Sequence, residues 1–195
     1  MMRKDAIATG RQIRPEARLM ERLARNSGVR ALCLISIVLL SGCTSVQTKV
    51  EISAPASAVR AVLFDFDAYP KWNPFITKID GAVVEGNQIL LTVKPVGGSE
   101  ITVGATVLTV TGSRLTWRGI GLTGAGSGSV AVGIPGVAGG THDFIIEEIG
   151  PGRTVFYNNE KFSGADIPFL DFKPVEAGFE AMNAAIKKRA EGNSN

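Results

Sequence analysis

Phe66-Asp67-Ala68-Tyr69-Pro70-Lys71-Trp72-Asn73-Pro74-Phe75 packs four aromatic residues and two prolines into ten positions. Its two prolines cannot both sit inside one regular element, so the segment is a compact turn or a single helical turn. Tyr69, Trp72 and Phe75 give that turn enough apolar area to plug one end of a sheet, and Asn73, placed before Pro74, is pushed to extended backbone. Upstream, Val46, Thr48, Val50 and Ile52 alternate with Gln47, Lys49, Glu51 and Ser53, the pattern of a half-buried strand. Ala54-Pro55 ends it. Val59, Val62, Leu63 and Phe66 then recur at i, i+3, i+4 and i+7, one face of a short helix with Arg60 and Asp65 outside.

Downstream, strand-like runs cover Thr77 to Val84, Gln88 to Val96, Glu100 to Thr111 and Arg114 to Ile120, parted by Gly86-Asn87, Gly97-Gly98 and Gly112-Ser113. Links that short make an antiparallel meander. Thr141 to Ile149 and Thr154 to Ser163 flank Gly150-Pro151-Gly152-Arg153 and pair as a hairpin. A helix starting near Pro168 to Pro174 closes the chain, with Val175, Phe179, Met182 and Ile186 as its apolar stripe and Glu176, Glu180, Asn183 and Lys187 opposite. Acidic Glu176 and Glu180 near its start and Lys187, Lys188 and Arg189 near its end suit the helix dipole. This order predicts an α+β domain, a curved antiparallel sheet of six or seven strands wrapped round its last helix. Gly104, inside a strand, is where bending is expected. Curvature is expected to leave an apolar chamber between Phe179, Met182 and the facing sheet.

The charge is unevenly spread. Residues 1–42 carry eight Lys or Arg and three Asp or Glu, a balance of +5, whereas the remainder carries thirteen and fifteen, a balance of −2. A mildly acidic domain has no footprint for a phosphate backbone, which argues against nucleic acid as a partner. Arg22, Arg25 and Arg30 precede the apolar run Ala31 to Leu40, which ends in Leu40-Ser41-Gly42-Cys43. That is the order of an export signal, too short in its apolar part to span a bilayer core of ~30 Å. The tetrapeptide resembles the lipobox of bacterial lipoproteins. It implies a signal segment over 1–43, lipid on Cys43, a domain over 44–195, and a periplasm-facing place in the cell envelope with the membrane as a partner. Thr44 after the cysteine resembles the pattern for transfer to the outer membrane. The long stretch before the apolar run leaves Met1 and Met20 both open as starts. After Cys43 there is no cysteine, and His142 is the sole histidine, so neither a metal site nor a cofactor is expected.

Four motifs carry a further likeness: Val50-x-Ile52-x-Ala54-Pro55-x-x-x-Val59, Phe66-x-x-Tyr69-Pro70-x-Trp72-Asn73-Pro74-Phe75, Gly140-x-His142-x-Phe144, and Phe162-Ser163-Gly164. Over residues 46–190 the chain resembles the START-like, helix-grip superfamily, especially its polyketide cyclase/dehydrase and lipid-transport branch. The resemblance implies a long hydrophobic cavity between sheet and last helix, used mostly for binding or transfer of lipids, sterols or polyketide-like molecules, and in some members for cyclisation or hydrolysis. Gly119 to Gly140, with nine of the 23 glycines, departs from the pattern. Its Val130, Ala131, Val132, Ile134, Pro135 and Val137 point to a lid, a surface that touches membrane or partner, or an inert insertion.

If Phe144 and Ile146 face the chamber, strand alternation turns His142 and Glu148 inward as well, and on the partner strand Phe156, Asn158, Glu160 and Phe162 share the inward side. The expected ligand-facing set is therefore Trp72, Phe75, Trp117, His142, Phe144, Phe156, Asn158, Glu160, Phe179 and Met182. The leading expectation is a binder or carrier of a hydrophobic small molecule. A cyclase or isomerase using His142 and Glu160 is the first alternative, and an accessory envelope lipoprotein the second. A plainer role is also open for the pair, with His142 bonded to backbone and Glu160 to Arg118 or Arg114.

Overall fold

The computed structural model describes residues 42–120, 139–164 and 167–192. All lie in the second of two compact units, Ser41–Asn195. Residues 1–41, read above as an export signal, and most of the glycine-rich insertion, residues 121–138, lie outside the described residues.

Strand β1 (Gly42–Ile52) alternates as the sequence predicts, but it starts four residues before Val46, so Gly42 and Cys43 already pair with Gly164 and Ser163. Pro55 closes it and sets the N-terminus of α1 (Ala56–Leu63), whose Val59, Val62 and Leu63 are buried. A 3-10 turn (Phe66–Ala68) and the single-turn helix α2 (Tyr69–Trp72) follow, with Pro70 in the first turn where no N–H is needed. Asn73 is extended at φ −82° and ψ 112°, as its position before proline requires. Its Oδ1 accepts the main-chain N–H groups of Phe75 at 3.0 Å and Ile76 at 2.9 Å and so launches the next strand.

The remaining strands are β2 (Ile76–Asp80), β3 (Gln88–Val93), β4 (Ile101–Val110), β5 (Arg114–Ile120), β6 (Gly139–Gly150) and β7 (Arg153–Gly164). All pairings are antiparallel, in the order β1-β7-β6-β5-β4-β3-β2. A turn at Ile167–Phe169 leads into α3 (Lys173–Gly192), the helix the curved sheet grips.

Three expectations about the strands need correcting. The run Thr77 to Val84 is strand only to Asp80, because Gly81 turns the chain at φ +108°, a conformation that favours glycine. Gly104 pairs in regular register with Leu90, and the irregularity of β4 falls instead at Leu108, between Val107 and Thr109. Glu148 is exposed, since the buried alternation of β6 stops at Ile146, short of the register shift near Gly150.

On α3, Val175, Phe179, Met182 and Ile186 are buried as expected, but so is Asn183. Four residues from Phe179 is only about 40° round a helix of 3.6 residues per turn, so Asn183 belongs to the inner face and not the outer one. Helix and sheet touch closely along this face. Phe75 lies so near Gly178 that a Cβ there would collide with its ring, and Phe75 meets the Phe179 ring edge to face at 5.1 Å. Phe179 also stacks on His142 at 4.7 Å, and Met182 has no exposed area. At Phe179 the sheet and helix are therefore in contact, where the sequence alone suggested a gap.

Candidate functional site

The inner face carries a chain of polar side chains through the apolar core. Antiparallel register sets His142 on β6 opposite Glu160 on β7, with Asn158 two residues along the same side of β7. Thr48 on β1 opposes Asn158 from the other side, and Asn183 reaches the group from α3. His142 Nε2 lies 2.6 Å from Asn158 Oδ1. Asn158 Nδ2 donates to Asn183 Oδ1 at 3.1 Å, and Asn183 Nδ2 donates to Thr48 Oγ1 at 2.9 Å. The Thr48 hydroxyl in turn donates to the main-chain oxygen of Asn158 at 2.9 Å. Buried polar groups are tolerated because each finds a partner, and here four side chains satisfy one another.

Glu160 is the member left over. Its Oε2 stands 3.6 Å from His142 Nδ1, beyond a good hydrogen bond. Burial in apolar surroundings pushes its carboxyl up to about 8, so it is protonated at neutral pH. Burial acts oppositely on His142 and holds it down at about 4, against the hydrogen bond it donates to Asn158 and the field of Asp143, so the ring is neutral. The Glu160 carboxyl packs over the bare backbone of Gly140, where any Cβ would strike it, and Phe162 lies against the same glycine. The glycine in Gly140-x-His142-x-Phe144 thus has a steric purpose.

Aromatic rings wall the pair. Trp117 meets His142 at 5.7 Å and Phe144 at 5.1 Å, both edge-on, while Phe144 lies 4.2 Å from the histidine ring. Phe75, Trp117, His142, Phe144, Asn158, Glu160, Phe179 and the neighbouring Met182 therefore come together. Phe156 joins this group through Phe144, at a ring separation of 6.0 Å. Trp72 stands apart near the far end of α3, against Tyr69 at 5.0 Å and beneath the Arg189 guanidinium at 5.8 Å. Neither arginine considered for Glu160 reaches it. Arg114 is engaged by Asp143 on the opposite side of the sheet at 2.6 Å, and Arg118 Nε reaches the Thr141 hydroxyl at 3.5 Å. Nor does His142 bond backbone; its partner is a side chain.

Thr48 and Asn183 were not singled out from the sequence, though the signal for Thr48 was present. It is the one polar residue on the inward side of Val46, Thr48, Val50 and Ile52. Among the described residues no cluster of three or more His, Cys, Asp or Glu side chains could hold a metal, and no helix is long and apolar enough to cross a membrane. Cys43 is an exposed free thiol. An open depression of about 620 Å³ lies beside it, lined by Ser45, Gln47, Thr141, Asp143 and Asn159 among others.

A seven-stranded antiparallel sheet gripping one long C-terminal helix, with short helices after the first strand, defines a START-like, helix-grip domain. The chain belongs to the polyketide cyclase / dehydrase and lipid transport family, whose sequence model matches residues 44–191. None of the curated proteins matches it. Among solved structures it is similar to a point mutant of norcoclaurine synthase from Thalictrum flavum bound to a transition-state analogue, at 14% identity and a TM-score of 0.58, covering 80% of this chain and 98% of that one. It is also similar to a START superfamily protein from Mycobacterium smegmatis, at 20% identity and a TM-score of 0.52, over 78% and 97% of the two chains. The Zhui aromatase/cyclase from Streptomyces sp. R1128 matches at 18% identity and a TM-score of 0.55, over 78% and 94%. At such identities these neighbours establish the fold alone. Family and fold together support a hydrophobic-ligand-binding or cyclase-like domain.

Proposed function

We propose that this chain binds or carries a hydrophobic small molecule of lipid, sterol or polyketide-like character, and does so at the cell envelope, held by lipid on Cys43. One observation carries the ligand half of this reading: the largely buried carboxyl of Glu160, its side chain 16% exposed, stands 3.6 Å from His142 Nδ1 and in no salt bridge with a Lys or Arg among the described residues. A carboxyl so placed is poorly satisfied from within the protein, and a ligand's polar end would give it a partner. The aromatic wall of Trp117, Phe144 and Phe179 suits the apolar remainder. Native mass spectrometry of protein purified from membranes, followed by organic extraction, tests it. A co-purified lipid, terpenoid or polyketide-like molecule is expected, and protein that is repeatedly empty overturns the carrier.

The anchor rests on Leu40-Ser41-Gly42-Cys43 and on the exposure of Cys43. Growth with labelled palmitate should mark the wild-type chain and not Cys43→Ala, which should leave the membrane fraction; an unlabelled wild type defeats the anchor. A second reading, a cyclase or isomerase, is favoured by the juxtaposition of a protonated Glu160 with a neutral His142, an acid beside a base. His142→Ala that still binds ligand but loses turnover would select it over the carrier.

A further inference from the structure

We propose that Glu160 and His142 together form a recognition site for a ligand hydroxyl, and that Asn158, Asn183 and Thr48 are positioning residues that set the histidine tautomer this site needs. The inference rests on the ligand-binding reading above and narrows it to apolar molecules carrying an alcohol or phenol.

The argument follows the protons. Thr48 has one hydroxyl proton and gives it to the main-chain oxygen of Asn158, so towards Asn183 it can only accept. That turns the Asn183 amide so that its nitrogen faces Thr48 and its oxygen faces Asn158. Asn158 must then present its own nitrogen to Asn183 and its oxygen to His142. An oxygen 2.6 Å from Nε2 requires the ring proton to be on Nε2. A neutral ring has only that one, so Nδ1, which faces Glu160, is a bare acceptor.

Opposite it, the carboxyl of Glu160 is a donor for as long as it keeps its proton. No charged side chain of the described residues offsets it. On β6, Asp143 points to the other sheet face and is taken by Arg114. On β7, Lys161 is exposed beside it, on the opposite parity. Val46 opposes Glu160 from β1, and α3 brings Phe179, Met182 and Asn183 to this face. The segment 121–138 contains no charged residue by sequence.

Donor and acceptor are 3.6 Å apart, which is long for a direct bond. An oxygen at about 2.8 Å from each sits comfortably beside such a gap. A hydroxyl accepts from Glu160 and donates to Nδ1; an ether or a ketone can only accept and leaves Nδ1 bare. Approach is from the carboxyl side, since the Glu160 side chain is 16% exposed and that of His142 is 5% exposed.

The test uses the processed protein with nitrogen-15 histidine, in which a single histidine gives an unambiguous signal, and two probes, dodecanol and dodecyl methyl ether. In the free protein Nε2 should be protonated and Nδ1 bare. Dodecanol should bind about tenfold more tightly than the ether, the ~1.4 kcal/mol of modest hydrogen bonds, and only the alcohol should shift the Nδ1 resonance. Asn183→Leu, and independently Thr48→Val should the first variant fail to fold, should yield a mixture of tautomers and reduce the preference below about twofold while affinity for the ether holds. A purely structural role would weaken both probes equally. As pH rises through about 8, ionised Glu160 stops donating and the ether loses its one hydrogen bond while the alcohol can still donate, so wild-type affinity for the ether should fall, whereas Glu160→Gln, which still donates, should keep it. Equal binding of the probes, or a proton on Nδ1 in the free protein, overturns the inference and leaves the ligand-binding reading standing. Uptake of neither probe overturns both.

Discussion

Replacing Glu160 by glutamine should make the protein more stable at high pH and should do so by a predictable amount. A free glutamate side chain titrates at 4.5, whereas burial carries Glu160 to about 8. The folded state thus binds a proton more tightly than the unfolded chain, and the stability this contributes is fully present below pH 4.5 and is lost as pH rises through 8. At ~1.4 kcal/mol for each tenfold change in proton affinity, the loss comes to about 5 kcal/mol as an upper figure. His142 works in the opposite direction. Its folded pKa is lowered from 6.5 to about 4, so stability is present above 6.5 and falls away as pH drops through 4, by about 3 kcal/mol. Between 4.5 and 6.5 the two slopes offset each other, so this pair contributes a plateau there and a decline above it. Urea unfolding followed by tryptophan fluorescence at pH 5, 7 and 9 measures this directly. The stability of Glu160→Gln relative to wild type should grow from pH 5 to 7 and by about half as much again to pH 9, levelling off above about 8. A difference that does not change with pH would show that Glu160 is ionised and solvated in the folded protein, and the account of the site would fail.

Three further substitutions probe the packing that holds the site. Gly178→Ala drives a methyl group into the Phe75 ring, which also meets Phe179 edge to face, and overpacking of this kind costs about 1–3 kcal/mol; a melting temperature at or above wild type would contradict it. Tyr69→Phe removes the hydrogen bond from the fully buried Tyr69 hydroxyl to the Leu63 carbonyl at 2.7 Å and should cost about 1–2 kcal/mol in chemical denaturation. Gly140→Ala should push the flexible Glu160 carboxyl towards solvent, and is read by loss of the Glu160-dependent pH slope described above.

The elements with strong periodicity were legible in the sequence because alternation and the i, i+3, i+4, i+7 pattern report burial directly. Val46 to Ser53 and Val175 to Ile186 are the clearest cases. What escaped was set by tertiary partners. The apolar run after Thr77 stops being a strand where Gly81 adopts a positive φ, which composition does not reveal. Asn183 is a different case: its spacing from Phe179 already put it on the inner face, its polarity suggested the outer one, and Asn158 and Thr48 supply the partners that make it buried. The inward side of β6 and β7 followed from parity alone, which placed His142, Asn158 and Glu160 together. The same parity misplaced Glu148, because a strand can outrun the helix that covers it. Charge pairing was the least legible: Arg114 and Arg118 on β5 were plausible partners for Glu160, yet they point to the other face of the sheet, to Asp143 and Thr141.

If the chain is processed at Cys43, the pairing of that residue with Ser163 makes the new first residue a rung of the ladder and not the tip of a leash. If that residue carries acyl chains, no slack separates the domain from the bilayer, and the margin of the sheet stands on the headgroups. Phe169, 81% exposed in the turn whose Ile167 and Pro168 pack on Gly42, would be steadied at the same boundary. Glu160 lies three residues from Ser163 along β7, roughly 10 Å of strand. A greasy alcohol passing between membrane and protein would then have a journey shorter than its own length, with almost no water to cross.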